Sequence, residues 1–279
     1  MFLTRYTWRT GLREVLLLLV AAVWWLPIYF LAVGSVKPNE QNFSSPFALP
    51  SRIDFGVYSQ AWKGSGNGTL GRSLESSLII TIASIVALIV LGSLAAYVVA
   101  RASNRLGNGL YLLFVLGIIL PFQLAIIPTY SAFRHIHLVG NYAGMVVLWT
   151  GLLMPLTVFL YTGFIRALPR DYEEAARVDG ATRMRTFVRV VFPLLRPVTG
   201  TVAILTGLIV WNDFFLSLVF LSGTKNVTLP VTVYSYVGVY ASQWNLIFAT
   251  VVVSVVPMLA FYLFAQKNLI RGFTGGIKT

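Results

Sequence analysis

Residues 74–100 read LESSLIITIASIVALIVLGSLAAYVVA, and the only charged side chain among them is Glu75, in the first turn. A helix needs about 20 mostly apolar residues to cross the hydrocarbon core of a bilayer, so this stretch suffices. Five more stretches qualify, at residues 15–36, 110–133, 143–165, 198–221 and 244–265. Together they predict an all-α polytopic membrane protein with six transmembrane helices, a single domain over residues 1–279.

Composition agrees. Apolar residues make up 57% of the 279 positions, charged residues 11%, and the mean hydropathy is +0.78. Soluble domains carry about 25% charged residues, so too little polar surface is present to cover a water-soluble globule. Disorder is excluded as well, since it requires low hydrophobicity. The chain has no cysteine, which removes disulfides, thiolate metal sites and a cysteine nucleophile. Its two histidines, His135 and His137, are spaced i, i+2 and do not share a helix face. No metal site is expected.

The first apolar stretch follows Arg5, Arg9 and Arg13, as a secretory signal would. It is longer than the roughly 7–15 residues of a signal core and holds Trp24, Trp25 and Pro27 near its middle, so a retained helix is expected. Prolines also fall in other spans, at Pro121, Pro128, Pro155 and Pro257. Neighbouring helices re-satisfy the backbone groups they free. With two of them, the third span should be the most bent.

Six crossings place both termini on one side. Of the 21 Lys and Arg residues, 15 then fall on the side of the termini and six on the other. Basic residues concentrate in cytoplasmic segments, so both termini are expected in the cytoplasm. The net charge of +12 is therefore topological and does not imply nucleic acid.

Two connections are long. The outer one, residues 37–73, is rich in Pro, Ser and Gly, with residues 55–62 forming a candidate short amphipathic turn; the alternative is a plain connector. Asn67-Gly68-Thr69 and Asn226-Val227-Thr228 fit the glycosylation pattern, a weak signal. The inner connection, residues 166–197, predicts a cytoplasmic helix–turn–helix. Asp171 and Glu174 have capping-box spacing, and Glu173 pairs with Arg177 at i+4. Asp179-Gly180 marks a turn, and Thr182 can cap a second helix on which Met184, Phe187 and Val191 share a face. Pro193 and Pro197 end it. The small residues Ala175 and Ala176 suit the close approach of a partner. An amphipathic helix lying on anionic lipid is the other reading, and spacing alone does not separate them.

Here the residues resemble a known family. Glu174-Ala175-Ala176, Asp179-Gly180-Ala181, Phe187, Phe192-Pro193-Leu194 and Pro197 are similar to the EAA loop of bacterial ABC-importer permeases, with Phe192 where Leu is usual. Trp211-Asn212-Asp213-Phe214-Phe215 resembles the W-N-D-F segment of carbohydrate-type permeases. The tail from Gln266 to Lys278 resembles their Q-[RK]-x-x-[VI]-R-G-[LF]-T-x-G-x-[VI]-K ending. The whole chain resembles the maltose-permease G-type subunit family.

That resemblance implies one permease half of a heterodimer in the bacterial cytoplasmic membrane, importing a sugar or oligosaccharide by alternating access. Its partners would be a second homologous permease subunit, two ATPase subunits and an extracytoplasmic substrate-binding protein, with the lipid bilayer around it. Glu173, Glu174, Ala175, Ala176, Asp179, Gly180, Ala181, Phe187 and Pro193 would couple it to the ATPases, with Glu174 the charged contact. Arg271, Gly272, Thr274, Gly275 and Gly276 of the cytoplasmic tail, residues 266–279, would touch the ATPases too. ATP and Mg would bind those partners and no cofactor this chain, which has no G-x-x-x-x-G-K-[ST] P-loop sequence and is not expected to be an enzyme.

Asp213 is the one acidic residue well inside a predicted span, a functional candidate by default. With Asn212 it would line the path, act as a gate or hold helices together. Gln123, Tyr130 and Trp149 are candidates for the wall of a sugar path, although aromatics near membrane interfaces also serve as plain anchors. Gly140 and Gly144, at a loop edge, are read as turn and packing residues. Two transport alternatives remain. One is an ABC permease for another polar solute, such as glycerol phosphate or a polyol. The other is a secondary transporter without ATPases, which would leave the EAA-like loop unexplained.

Overall fold

A computed structural model describes residues 8–64, 69–102, 105–237 and 242–275. The elements among them are helical. In chain order they are α1 (Trp8–Gly34), α2 (Asn39–Ser44), α3 (Gly56–Lys63), α4 (Leu70–Arg101), α5 (Arg105–Ile119), α6 (Ile126–His135) and α7 (Tyr142–Ala167). There follow α8 (Asp171–Val178), α9 (Arg183–Leu194), α10 (Arg196–Trp211), α11 (Phe215–Leu221), α12 (Leu229–Ser235) and α13 (Trp244–Gly275). Four of these, α1, α4, α7 and the first part of α13, are long and apolar enough to cross a membrane singly, and two bent pairs bring the number to as many as six. Pro27, Pro155 and Pro257 lie inside intact helices.

The third span is the bent one expected. Its two halves, Gly107–Ile119 and Phe122–His135, meet at 89°, at Leu120-Pro121. Pro121 removes a donor and forces the residue before it away from helical geometry, and the chain restarts as a short 3₁₀ turn, Phe122–Ala125. The fifth span corrects the sequence reading. Residues 198–221 are not one helix: α10 stops at Trp211, and α11 begins at Phe215. At 16 residues α10 spans roughly 24 Å, short of the ~30 Å core. Instead α9 and α10 form the bent pair, at 75° about Leu195. The sixth predicted span, residues 244–265, continues as helix through Gly275.

The chain forms two compact units, residues 1–70 with 232–256, and residues 71–231 with 257–279. In the first, α1 leaves its apolar side chains uncovered, with Leu17 68%, Leu18 69% and Trp24 76% exposed. The segment after α1 is folded, not a bare connector. Lys37 is fully buried, donating from Nζ to the carbonyls of Ser45 (3.1 Å) and Pro46 (2.9 Å). The expected amphipathic turn is α3, which buries Val57 and Ala61.

In the second unit α7 runs through two cores. Met145, Trp149 and Leu153 pack with Ile80, Val210 and Phe220. Further along, Val158, Tyr161 and Ile165 pack with Ala96 and Ala100 of α4 and with Phe187, Val191, Leu195, Val198 and Val202. Between them Gly92, in a π-helical turn of α4 (Leu88–Gly92), lets that helix press on α7, and a Cβ there would collide with the Thr157 methyl. Gly140 and Gly144 behave as read. Gly140 turns at φ +86°, and a Cβ on Gly144 would strike the Leu138 carbonyl.

Candidate functional site

The helix pair at residues 171–194 forms as the sequence indicates, with one difference at its start. Leu168 is extended ahead of Pro169, which closes α7. The chain is already helical at Arg170 (φ −71°, ψ −20°), so Asp171 lies inside the helix and makes no cap; the expected capping box is absent. The amides of Glu173 and Glu174 bond to the Arg170 carbonyl. Asp171, Glu173 and Glu174 still favour this end of α8, because carboxylates complement the exposed amides of a helix start.

The end of α8 is a Schellman turn. The Ala181 amide donates to the Ala176 carbonyl and the Gly180 amide to the Arg177 carbonyl, both at 2.9 Å. Gly180 takes φ +78°, the left-handed conformation that a side chain disfavours. Thr182 then caps α9, its hydroxyl accepting from the Arg185 amide at 3.4 Å. Phe187 and Val191 face the bundle and are buried, at 5% and 1% exposure. Met184 does not join them. It lies in the first turn of α9, 60% exposed, beside open space.

Glu173 and Glu174 have different surroundings. Glu174 is exposed. Glu173 is buried at 3% exposure, and Arg101 at the end of α4 donates from Nε to its Oε1 at 2.7 Å. The Tyr97 hydroxyl donates to Oε2 at 2.9 Å, and Arg101 also reaches the Leu168 carbonyl at 3.3 Å. The Arg177 pairing expected from i+4 spacing exists but is long, at 3.8 Å. Sequence reading missed Arg101 and Tyr97. The available signal was their i, i+4 spacing at the end of a span, where an Arg reads first as a topology marker. Of the other loop candidates, Ala175 and Asp179 are exposed, Ala176 and Ala181 half-buried. Pro193 lies in the last turn of α9.

The path candidates do not converge on one open site. The Asp213 carboxylate accepts from the Leu216 amide (3.1 Å), the Ser217 amide (2.8 Å) and the Ser217 hydroxyl (2.9 Å), which caps α11. Asn212 donates to the Leu208 carbonyl at 2.8 Å. Trp149 is 4% exposed within the first core, where Tyr130 also packs, its ring 5.5 Å from that of Phe220. Gln123 is exposed on the 3₁₀ turn. Asn226 donates to the Gly140 carbonyl at 3.0 Å, whereas Asn67 lies outside the described residues. In the tail, Arg271, Gly272, Thr274 and Gly275 fall in the last turns of α13, and Gly276 lies outside the described residues. Among the described residues no cluster of His, Asp and Glu suited to a metal is found.

Residues 88–275 match the family model described as binding-protein-dependent transport system inner membrane component. The chain is 35% identical over 272 residues to the melibiose/raffinose/stachyose import permease protein MelC of Bacillus subtilis, covering 96% of this chain and 97% of that protein. It is 30% identical to the probable starch degradation products transport system permease protein AmyC of Thermoanaerobacterium thermosulfurigenes, covering 93% of each. Among solved structures it matches a chain of a bacterial ABC transporter involved in the import of the acidic polysaccharide alginate, with TM-score 0.80 and 21% identity over 96% of this chain and 99% of that one.

Proposed function

The chain belongs to the family of binding-protein-dependent transport system inner membrane components, and on that premise we propose that it is the permease subunit through which an ABC importer takes up a sugar or oligosaccharide. It is a multi-pass membrane protein, and its family implies ATPase and binding-protein partners. The sugar assignment draws on MelC and AmyC, which match over nearly their whole length. A second homologous permease, two ATPases that bind ATP and Mg, and an extracytoplasmic binding protein complete the transporter. Both termini and the helix pair face the cytoplasm, as the basic residues favour.

The observation that carries the mechanism is the way the helix pair is built into the bundle. Phe187 and Val191 share one core with α4, α7 and α10, and Glu173 is bonded to Arg101 and Tyr97 of α4. A push on the exposed face of α8, at Glu174, Ala175 and Asp179, is therefore delivered to three helices at once. Closure of the ATPases on ATP supplies that push, and the bundle responds as a rigid body. The last turns of α13, with Arg271, Gly272, Thr274 and Gly275, and Gly276 beyond, reach the same partners. Asp213 and Asn212 hold the break between α10 and α11 and serve a gate. Gln123, Tyr130 and Trp149 come to the sugar path as the bundle switches.

The test is reconstitution. The chain is placed in liposomes with its second permease and ATPases, and uptake is measured with the cognate binding protein and a panel of sugars. ATP-dependent uptake of at least one sugar is expected. ATP-independent uptake by this chain alone would overturn the assignment.

A further inference from the structure

A cavity of about 600 Å³ in the second unit is a cleft between the end of α4 and the helix pair. Its α4 wall changes character along the helix axis. Leu94, Val98 and Arg101 are spaced i, i+4, i+7 and form one stripe. Over the roughly 10 Å from Leu94 to Arg101 the stripe passes from apolar to cationic. Val98 is 65% exposed and Met184, on the opposite wall, 60% exposed.

The polar end is basic. Arg101, Arg170, Arg177 and Arg183 line it against Glu173 and Glu174. Glu173 is taken by Arg101 and, at longer range, Arg177. Arg170 and Arg183 make no ion pair among the described residues, which leaves two guanidinium groups at the mouth of a cleft whose other wall is the flank of a spanning helix.

We propose that this cleft holds the headgroup and glycerol backbone of an anionic phospholipid of the cytoplasmic leaflet. Arg170 and Arg183 take the phosphate, with bidentate geometry that guanidinium suits. The first methylenes of an acyl chain lie along Val98 and Leu94. An acidic protein segment would meet the same arginines but would not use an apolar wall that continues up a membrane span. The lipid wedges the cleft open at a fixed width, so the helix pair is braced from the membrane side while a partner meets α8 at Ala175 and Asp179, which do not line the cleft. The proposal rests on the helix pair lying at the inner membrane surface.

The test uses the full transporter, equilibrated in vesicles of equal phosphatidylglycerol and phosphatidylcholine, then purified in mild detergent. Retained lipid and copurified ATPase are both quantified. Wild type is expected to hold phosphatidylglycerol in preference to phosphatidylcholine. Arg170→Gln combined with Arg183→Gln is expected to lower that retention by roughly tenfold or more, since two basic residues near an anionic surface are removed, while the ATPases still copurify. Unchanged phosphatidylglycerol retention in the double variant overturns the proposal. Loss of ATPase with lipid retention unchanged also overturns it, because the cleft then belongs to a protein partner. Absence of the ATPases from wild type itself would instead strike at the importer reading.

A second measurement does not depend on that variant. Met184→Cys gives a unique thiol in this cysteine-free chain, and a fluorophore there reports on the cleft. Stronger quenching by brominated phosphatidylglycerol than by brominated phosphatidylcholine is expected. Equal quenching by both, or none, overturns the assignment.

Discussion

Arg101 Nε lies 2.7 Å from Glu173 Oε1, an ion pair between the last residue of α4 and the first turn of α8, 72 positions apart in the chain. Both side chains are largely shielded, at 15% and 3% exposure, and the second Glu173 oxygen is filled by Tyr97. An ion pair of this kind adds little net stability over an apolar replacement, but removing one partner strands the other charge, at about 3–5 kcal/mol. The pair therefore acts as a linkage more than as a source of stability. It makes the position of α8 a property of the α4 spanning helix.

Glu173→Ala and Arg101→Ala should each lower the thermal midpoint of the purified transporter and reduce uptake per ATP hydrolysed. The double variant should lose less than the sum of the two, with an interaction of about 0.5–3 kcal/mol, as expected for residues in direct contact. Additive losses would show that the two side chains act independently.

Gly180→Val should uncouple ATP hydrolysis from uptake. Nothing lies within 4 Å of the position a Cβ would take, so the defect would come from φ +78° alone and not from a clash. A side chain in this region costs about 1–2 kcal/mol, and Asn bears it better than a β-branched residue. Gly180→Asn should therefore keep most of the coupling that Gly180→Val loses. Equal behaviour of the two variants, compared by uptake and ATPase rate in the same liposomes, would remove the conformational argument.

The parts of this fold legible in the sequence are those set by local chemistry. Apolar length located the four helices long enough to cross a membrane singly, Pro121 located the bend, and Gly180 and Thr182 located the turn and second helix of the loop. What was missed depends on partners distant in sequence or on one residue of register. The capping box failed because Arg170 turned helical one position early. The Arg101–Glu173 pair was hidden because an Arg at the end of a predicted span has a sufficient topological explanation. The break in the fifth span was hidden because the apolar residues on either side of Asn212 and Asp213 keep the average over residues 198–221 that of a membrane helix. Hydropathy does not register that Asp213 caps whatever follows it.

Asp213→Ala should destabilise α11 by about 1 kcal/mol, the usual effect of losing a capping oxygen. Asp213→Asn keeps one acceptor oxygen and should lose less. If capping is the main role, both variants should change stability and the maximal uptake rate with little change in apparent substrate affinity. A large rise in KM for the sugar at unchanged thermal midpoint would instead place the carboxylate on the path.

Ala176→Cys should crosslink to an ATPase subunit in the assembled transporter, and the yield should change with nucleotide. The position is suited to this because its side chain is small and half-buried on α8, while its carbonyl, fixed by the Ala181 amide, is untouched by the substitution. The chain has no native cysteine to compete. Crosslinks at Ala175→Cys should be as strong or stronger, since Ala175 is the more exposed of the two. A thiol at Thr186, fully buried on α9, should give none and serves as the internal control. Failure at both alanines in a complex that contains the ATPases would mean that another surface transmits the stroke, and Glu174 would lose its assignment with them.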